Sequence, residues 1–167
     1  MATVYDVNIK KLDEKAVIPT YGSEYAAGAD LYACLDEAIT IEPGQTVMVH
    51  TGIAMEIPEG FAGLVYARSG LASKKGLAPA NKVGVVDADY RGEIMVALHN
   101  HGTQAQTVEP EERIAQLVIA PYIVGAFRWT SSAIQSEEPA DSVQQESNKK
   151  AAGHHHFNGV PDRFSFI

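Results

Sequence analysis

Cysteine is nearly absent from this chain: Cys34 is the single one in 167 residues, which excludes an intramolecular disulfide. No apolar run approaches the ~20 residues of a membrane-spanning helix. The first residues, with Asp6 and Lys10 in an alternating segment, lack the apolar block of a signal peptide. We therefore expect a cytoplasmic protein without a membrane partner. Cys34 is expected to be a small buried residue rather than a reactive thiol.

Basic residues are also in the minority. The chain has 13 Lys and Arg against 21 Asp and Glu, for a formal net charge of −8. A protein that binds along a nucleic acid neutralises phosphates with a basic face, so this balance argues against broad nucleic-acid binding.

What the chain does contain is a series of short β-type runs. A length of 167 residues with 46% hydrophobic residues is enough for one domain with a real core. Turn signals rich in Pro, Gly and Asn separate the runs, which indicates a two-sheet sandwich or jelly roll. One short helix is predicted from Gly70 to Lys75, with Ser69 as its N-cap and Gly76 as its stop. The predicted strands are residues 4–10, 46–50, 53–57, 61–66, 94–100 and 114–119.

The most informative segment runs from Gly84 to Gly92, with the sequence GVVDADYRG. Two β-branched residues lead into an acidic turn, which an aromatic and a glycine follow. A carboxylate at the end of a buried hairpin is partly desolvated and therefore more basic, so Asp87 is a candidate reactive group. The alternative is a surface hairpin with an Asp-Ala-Asp turn.

Three further segments form an ordered series with this hairpin. They are AGADLYA at 27–33, ARSGLA at 67–72, with the turn Pro58-Glu59-Gly60 ahead of it, and ERIAQL at 112–117. In this order the four segments resemble the first four motifs of the homotrimeric dUTP pyrophosphatases (dUTPases), over roughly the first three quarters of the chain. The resemblance implies an all-β, single-domain jelly roll that assembles as a homotrimer. It also implies hydrolysis of dUTP to dUMP and pyrophosphate with Mg²⁺ as cofactor.

The resemblance also implies roles for residues near the reacting phosphates. Asp87 would orient and deprotonate the attacking water. Arg68 would contact phosphate oxygens in bidentate fashion, together with Ser69 and Gly70 at the helix start. The alternative for Arg68 and Ser69 is a surface ion pair and a simple helix cap.

Two more assignments concern the metal and the α-phosphate. Asp30 would contact the waters of Mg²⁺ rather than the ion itself. The alternative for Asp30 is an internal salt bridge that holds its loop. Gln116 would reach an α-phosphate oxygen or the attacking water, and its alternative is a sheet-edge residue.

Uracil would be recognised by the hairpin from Asn81 to Val85 and the adjoining Val86, because a strand backbone offers the donors and acceptors that the base edge needs. A tight hairpin leaves no space for the methyl of thymine, and cytosine would leave buried groups unpaired. Tyr90, stacked on deoxyribose, would collide with a 2′-hydroxyl, unless it is an ordinary core aromatic. Met95 matches a position that lines the same pocket in the family.

The segment after residue 126 has a different character. It is polar and without periodicity from Ser131 to Asn148, so residues 127–167 are predicted to be a disordered tail after a β domain of residues 1–126. The family's fifth motif, a glycine-rich arm that closes over the nucleotide, is absent there. Back-translation from the third base of the Trp129 codon permits DELSDTERGAGGFGSTGK and a stop, so the arm is still encoded out of frame. Loss of the arm predicts impaired turnover.

Two other functions remain open from the sequence. One is a dCTP deaminase of the same fold, against which the form of the Gly84–Gly92 hairpin counts. The other is a non-catalytic nucleotide-binding or regulatory protein on the dUTPase scaffold, which loss of the fifth motif favours.

Overall fold

Twelve strands and one helix make up the computed structural model, which describes residues 4–131. The helix, α1, is Ser69–Lys75. The strands are β1 Asn8–Lys11, β2 Thr20–Tyr21, β3 Ala29–Tyr32, β4 Ile39–Ile41, β5 Thr46–His50, β6 Ile53–Glu56, β7 Phe61–Tyr66, β8 Leu77–Pro79, β9 Val83–Val86, β10 Met95–Asn100, β11 Gln106–Val108 and β12 Arg113–Pro121.

The largest sheet has five strands in the order β2-β3-β12-β7-β9, and each neighbouring pair is antiparallel. A three-stranded sheet has the order β5-β10-β8, and the pairs β1-β6 and β11-β4 complete the described strands. The all-β fold with one short helix is therefore confirmed. β9, which carries the Val85-Val86 segment, lies at the edge of the five-stranded sheet.

The core lies between these sheets and is filled by aliphatic side chains from most strands. Its fully buried members include Leu31, Ile53, Leu77, Leu98 and Ile114. Leu71 anchors α1 to the core as the helix's only buried residue. A single buried residue thus holds the first turn of this seven-residue helix against the core.

The predicted helix differs from the observed one at its first residue. The N-cap is Arg68, in extended backbone and without a side-chain capping bond, and Ser69 is already helical. The prediction of Ser69 as N-cap is therefore wrong, because the Ser69 hydroxyl makes no bond to the first-turn amides. Gly76 ends the helix as predicted: its φ of 65° is left-handed, and its amide donates to the Ala72 carbonyl.

The chain divides into two units, Met1–Gly125 and Ala126–Ile167. In the second unit the described residues 126–131 are exposed and belong to no helix or strand. The predicted disorder of 127–167 and the out-of-frame arm concern mainly residues 132–167, which lie outside the described part.

Cys34 is partly buried, and burial raises the pKa of its thiol. A raised pKa disfavours the nucleophilic thiolate, in line with the predicted unreactive residue, but Cys34 is only partly buried and not fully buried as predicted. Within residues 4–131, no helix is long and apolar enough to cross a membrane.

Candidate active site

Six of the predicted site residues line a single pocket of about 270 Å³. Strand β9 and the turn after it form one side of the pocket, and β10 of the three-stranded sheet forms another. The predicted residues that meet there are Asn81, Val85, Val86, Asp87, Tyr90 and Met95. The other predicted site residues, Asp30, Arg68, Ser69, Gly70 and Gln116, do not line it. The pocket thus brings together the candidates for the base, the sugar and the attacking water.

The turn after β9 presents Asp87. The Tyr90 amide donates to the Asp87 carbonyl at 3.1 Å, and the Arg91 guanidinium donates to the Ala88 carbonyl at 2.6 Å. The Asp87 side chain is exposed in the single chain. The prediction that this carboxylate is partly desolvated is therefore wrong for one subunit, because β9 is an edge strand and the turn projects from the sheet.

Tyr90 lies in the same turn and is 44% exposed, so the alternative of an ordinary core aromatic is wrong. Its hydroxyl donates to the Glu93 carbonyl at 3.0 Å. The hydrogen bond of the hydroxyl thus holds the end of the Tyr90 side chain, while part of the ring surface faces the pocket.

The segment before β9 is a tight turn. Lys82 has a positive φ of 66°, and the Val83 amide donates to the Asn81 carbonyl at 2.7 Å. A Cβ at Gly84 would lie 3.2 Å from the Asn81 amide nitrogen, so glycine lets that side chain pack over the strand. Only one side of β9 pairs with a described strand, β7, which leaves polar backbone groups on its outer side for a ligand.

Glu93 is a pocket residue that sequence reasoning missed. Its carboxylate accepts from the Gly52 amide at 2.8 Å and contacts His50 Nδ1 at 2.9 Å. Burial raises the pKa of this carboxyl, but the hydrogen bonds from His50 and Gly52 outweigh it and hold the pKa below its ordinary value. Glu93 follows Gly92 directly, but its partners lie some forty positions earlier, and local sequence carries no signal of that.

A second cluster surrounds Asp30 of β3, which is only 7% exposed. Arg68 donates through Nε to Oδ1 at 2.6 Å, and Arg113 donates through Nη1 to Oδ2 at 3.3 Å. Asp30 thus makes the internal salt bridges named as its alternative, and its contact with metal-bound waters stays a prediction. Arg113 was overlooked as a site residue, although it stands inside the fourth motif three positions before Gln116.

Gln116 extends this cluster. It lies on β12 between β3 and β7, so the alternative of a sheet-edge residue is wrong. Its side-chain amide donates to the Ala67 carbonyl at 2.8 Å, which holds the residue before Arg68 in place. A Cβ at Gly28 would lie 2.7 Å from Gln116 Oε1, so a larger residue in the first motif would displace the Gln116 side chain.

Arg68, Ser69, Asp30, Arg113 and Gln116 line a shallow second pocket of about 210 Å³. Gly70 lines an adjoining depression, and no atom lies within 4 Å of the position that its Cβ would occupy. Two guanidinium groups and an open helix start are a donor set for an anion.

The described residues contain no group of three or more His, Cys, Asp or Glu that could hold a metal ion. Mg²⁺ often keeps several waters and is held by one or two carboxylates and substrate phosphates, so a full protein cage is not required. Asp30, a single carboxylate beside an anion-binding donor set, fits such an outer contact, although two arginines already contact its oxygens.

The two clusters are far apart in one chain. Val86 of β9 pairs with Gly63 of β7, so Asp87 lies beyond the level of Gly63 towards the start of β7. Arg68 follows the other end of β7 in extended backbone. Asp87 is therefore level with a residue six positions before Arg68. At ~3.3 Å per residue of extended chain, this is a separation of roughly 20 Å along β7 and the residues after it. The pockets share no lining residue.

Comparisons with known proteins identify the class of enzyme. The family model described as dUTPase matches residues 14–146. A deoxyuridine 5′-triphosphate nucleotidohydrolase of Desulfitobacterium hafniense is 53% identical over 116 residues, 69% of this chain and 77% of that protein. The protein of the same description from Acinetobacter baylyi is 44% identical over 139 residues, 80% of this chain and 93% of that protein.

Solved structures agree. A mutant Staphylococcus bacteriophage 80alpha dUTPase with dUpNHpp has a TM-score of 0.73 at 25% identity, covering 81% of this chain and 94% of that one. A mutant dUTPase from phage phi11 of S. aureus, described with a structural Mg(II) ion, has a TM-score of 0.69 at 23% identity, covering 77% and 98%. The architecture and the motif series thus define a nucleotide hydrolase of jelly-roll type. The chain belongs to the dUTPase family, as the resemblance predicted.

Proposed function

We propose that this chain hydrolyses dUTP to dUMP and pyrophosphate at sites that neighbouring subunits of a homotrimer share. The single observation that carries the proposal is the separation of the two clusters at opposite ends of β7. The pocket beside β9 has groups suited to a base, a sugar and an attacking water, and the Asp30–Arg68 cluster has groups suited to phosphates. One nucleotide needs both, and a second subunit supplies the missing half.

Asp87 is the general base in this proposal. The Asp87 side chain is exposed and stands at the mouth of the β9 pocket, where an ionised carboxylate can accept a proton from water. Closure by a neighbouring subunit would shield the carboxylate and the attacking water from bulk solvent. Water attacks the α-phosphorus, its proton passes to Asp87, and pyrophosphate leaves.

Arg68, Ser69 and Gly70 bind the triphosphate in this proposal. Arg68 Nη2 lies 3.4 Å from Asp30 Oδ2, a long contact that leaves guanidinium donors available to phosphate oxygens. Gln116 faces the same pocket and contacts an α-phosphate oxygen or the attacking water. Mg²⁺ neutralises charge on the triphosphate when bound, and Asp30 would contact its waters.

Uracil binds along the outer side of β9 between Asn81 and Val86. Backbone groups on the outer side of β9 face no described strand and can pair with the base edge, and the narrow turn at Lys82 excludes the methyl of thymine. Tyr90 stacks on the deoxyribose, and Met95, 41% exposed on β10, adds an apolar wall.

Turnover is reduced if the segment after residue 126 does not supply the glycine-rich arm. The family match extends to residue 146, which includes part of that segment. Because lid contacts strengthen in the transition state, their loss lowers kcat more than substrate affinity.

The test is product analysis with purified full chain and Mg²⁺. We expect dUMP and pyrophosphate from dUTP, and at least about 10²-fold lower kcat/KM with dCTP, whose base leaves buried groups unpaired. Ammonia release from dCTP would instead support the deaminase. Tight binding of a non-hydrolysable dUTP analogue with no turnover, even with an in-frame arm, would support the non-catalytic protein.

A further inference from the structure

Glycine is needed at position 92 because a neighbouring side chain occupies the space that a Cβ would take, and not because of the backbone conformation. Gly92 is not among the residues of positive φ, so its conformation is open to any amino acid. A Cβ placed on it would nevertheless lie 2.5 Å from the Tyr90 hydroxyl oxygen and 2.7 Å from the ring carbon that bears it. The space beside Gly92 is therefore occupied by the tip of Tyr90.

The partner of that hydroxyl is held firmly. Tyr90 donates to the carbonyl of Glu93, and Glu93 is bound through its own carboxylate to the Gly52 amide and to His50. The next residue is also fixed: the Ile94 amide donates to the Ile53 carbonyl at 2.9 Å, and the Thr51 hydroxyl donates to the Ile94 carbonyl.

Gly52, the far end of this connection, is anchored through both of its backbone polar groups: its amide donates to the Glu93 carboxylate, and its carbonyl accepts from the Leu12 amide at 2.7 Å. The space beside it is filled, since an added Cβ would lie 2.8 Å from the Ala16 Cβ and 2.9 Å from the Cys34 sulfur. The turn between β5 and β6 is thus an anchored support. The contacts of the Glu93 carboxylate hold this residue in place and thereby fix its carbonyl. The carbonyl in turn fixes the Tyr90 ring, because it accepts the hydrogen bond from the Tyr90 hydroxyl.

We propose that Gly92 and Glu93 are positioning residues that fix the Tyr90 ring against the sugar and thereby set the preference for dUTP over UTP. This inference rests on the proposed function, in which Tyr90 excludes the 2′-hydroxyl. Glu93 supplies the anchored acceptor, and Gly92 supplies the space through which the hydroxyl reaches it. Neither residue lines the Arg68 pocket, where the triphosphate is proposed to bind.

Gly92→Ala is the most direct test because it should move the ring without disturbing the core. Tyr90 is exposed by 44%, so its tip can move away from the new methyl by the ~1 Å that an ordinary carbon contact of 3.5–4.0 Å requires. Misplacement by about 1 Å can cost up to ~10²-fold in a positioned group's effect. We expect the ratio of kcat/KM for dUTP to that for UTP to fall by about 10-fold to 10²-fold.

Glu93 is tested by two variants. Glu93→Ala removes both carboxylate contacts and should lower the same ratio by about 10-fold. This fold-change corresponds to a loss of about 1.4 kcal/mol in the discrimination between dUTP and UTP. Glu93→Gln keeps an oxygen that can accept from the Gly52 amide and should restore most of the ratio. A merely structural role would reduce activity towards both nucleotides alike and would leave the ratio unchanged.

Gly102→Ala serves as the matched control. Its added methyl also meets a side-chain oxygen, Asn100 Oδ1 at 3.1 Å, but Gly102 lines neither pocket. This variant should keep the dUTP/UTP ratio of the parent, even if its melting temperature falls by about 4 °C, the shift that roughly 1 kcal/mol produces.

The measurements are kcat/KM for both nucleotides and dissociation constants for non-hydrolysable analogues of both. The dissociation constants give the preference between the two nucleotides even where turnover is too slow to measure. A parent chain without any preference for the deoxynucleotide would overturn the proposed role of Tyr90. A parent with the preference and a Gly92→Ala variant that retains it in full would overturn the present inference alone.

Discussion

Asp87 lies level with the start of strand β7, and Arg68 follows its other end, at a separation of roughly 20 Å along the extended chain. One is the candidate base, and the other is the candidate phosphate ligand. In the proposed shared-site arrangement, a single subunit holds two half-sites, and each interface of a closed trimer joins the Asp87 half of one subunit to the Arg68 half of the next.

Mixing two inactive variants tests this arrangement. Asp87→Asn and Arg68→Ala should each hydrolyse dUTP poorly, and trimers formed by co-refolding equal amounts should recover activity. If every site takes one residue from each of two subunits, random assembly leaves about a quarter of the sites intact. The assay is dUTP turnover, with sedimentation to verify the trimer. Absence of recovery in verified mixed trimers would contradict shared sites.

Replacing Asp87 with Asn tests the base itself. Asparagine keeps the size and a hydrogen-bonding oxygen but cannot take the proton, so hydrolysis should fall by roughly 10²–10⁴-fold. Binding of a non-hydrolysable dUTP analogue should persist. Asp89→Asn, two positions along the same exposed turn but outside the β9 pocket, is the matched control. Full turnover by Asp87→Asn in a chain with an in-frame arm would exclude the assignment.

The tail can be exchanged for the sequence read in the other frame. With residues after about 125 replaced by the in-frame arm, kcat should rise by on the order of 10²-fold, because lid contacts form mainly in the transition state. Affinity for the dUTP analogue should change much less, since the Asn81, Tyr90 and Arg68 contacts belong to the β domain. Equal kcat in the two proteins would contradict the reading of the tail as a displaced arm.

Glu93 should stabilise the fold near neutral pH and lose this contribution in acid. Its pKa in the folded chain lies below the ordinary value of 4.5. A carboxyl with a lowered folded pKa stabilises the fold above the unfolded pKa, and this contribution is lost as the pH falls through the folded pKa. Urea unfolding of the parent and Glu93→Gln should therefore differ most near neutral pH and converge in acid. A difference that is constant down to about pH 3 would show that ionisation of Glu93 is not the cause.

Much of the strand content follows from the local sequence. Strands β5 and β7 have the predicted bounds, because β-branched and aromatic residues there alternate between turns that contain Pro and Gly. Strand β3 was not predicted as a strand, since Asp30 lies inside it and interrupts the apolar pattern. It forms because β12 pairs with it and two arginines neutralise the aspartate, and both contacts come from distant segments.

The amino-acid sequence by itself determined the order of the four motifs, the glycine stop of the helix and the family of the protein, since these depend on neighbouring residues. Tertiary structure alone decided that Asp87 is exposed in the turn after an edge strand, that Gln116 lies on a central strand, and that Glu93 reaches back to Gly52. Such contacts join residues about forty or more positions apart. Their geometry depends on sheet order and register, which long-range packing sets and which no local pattern encodes.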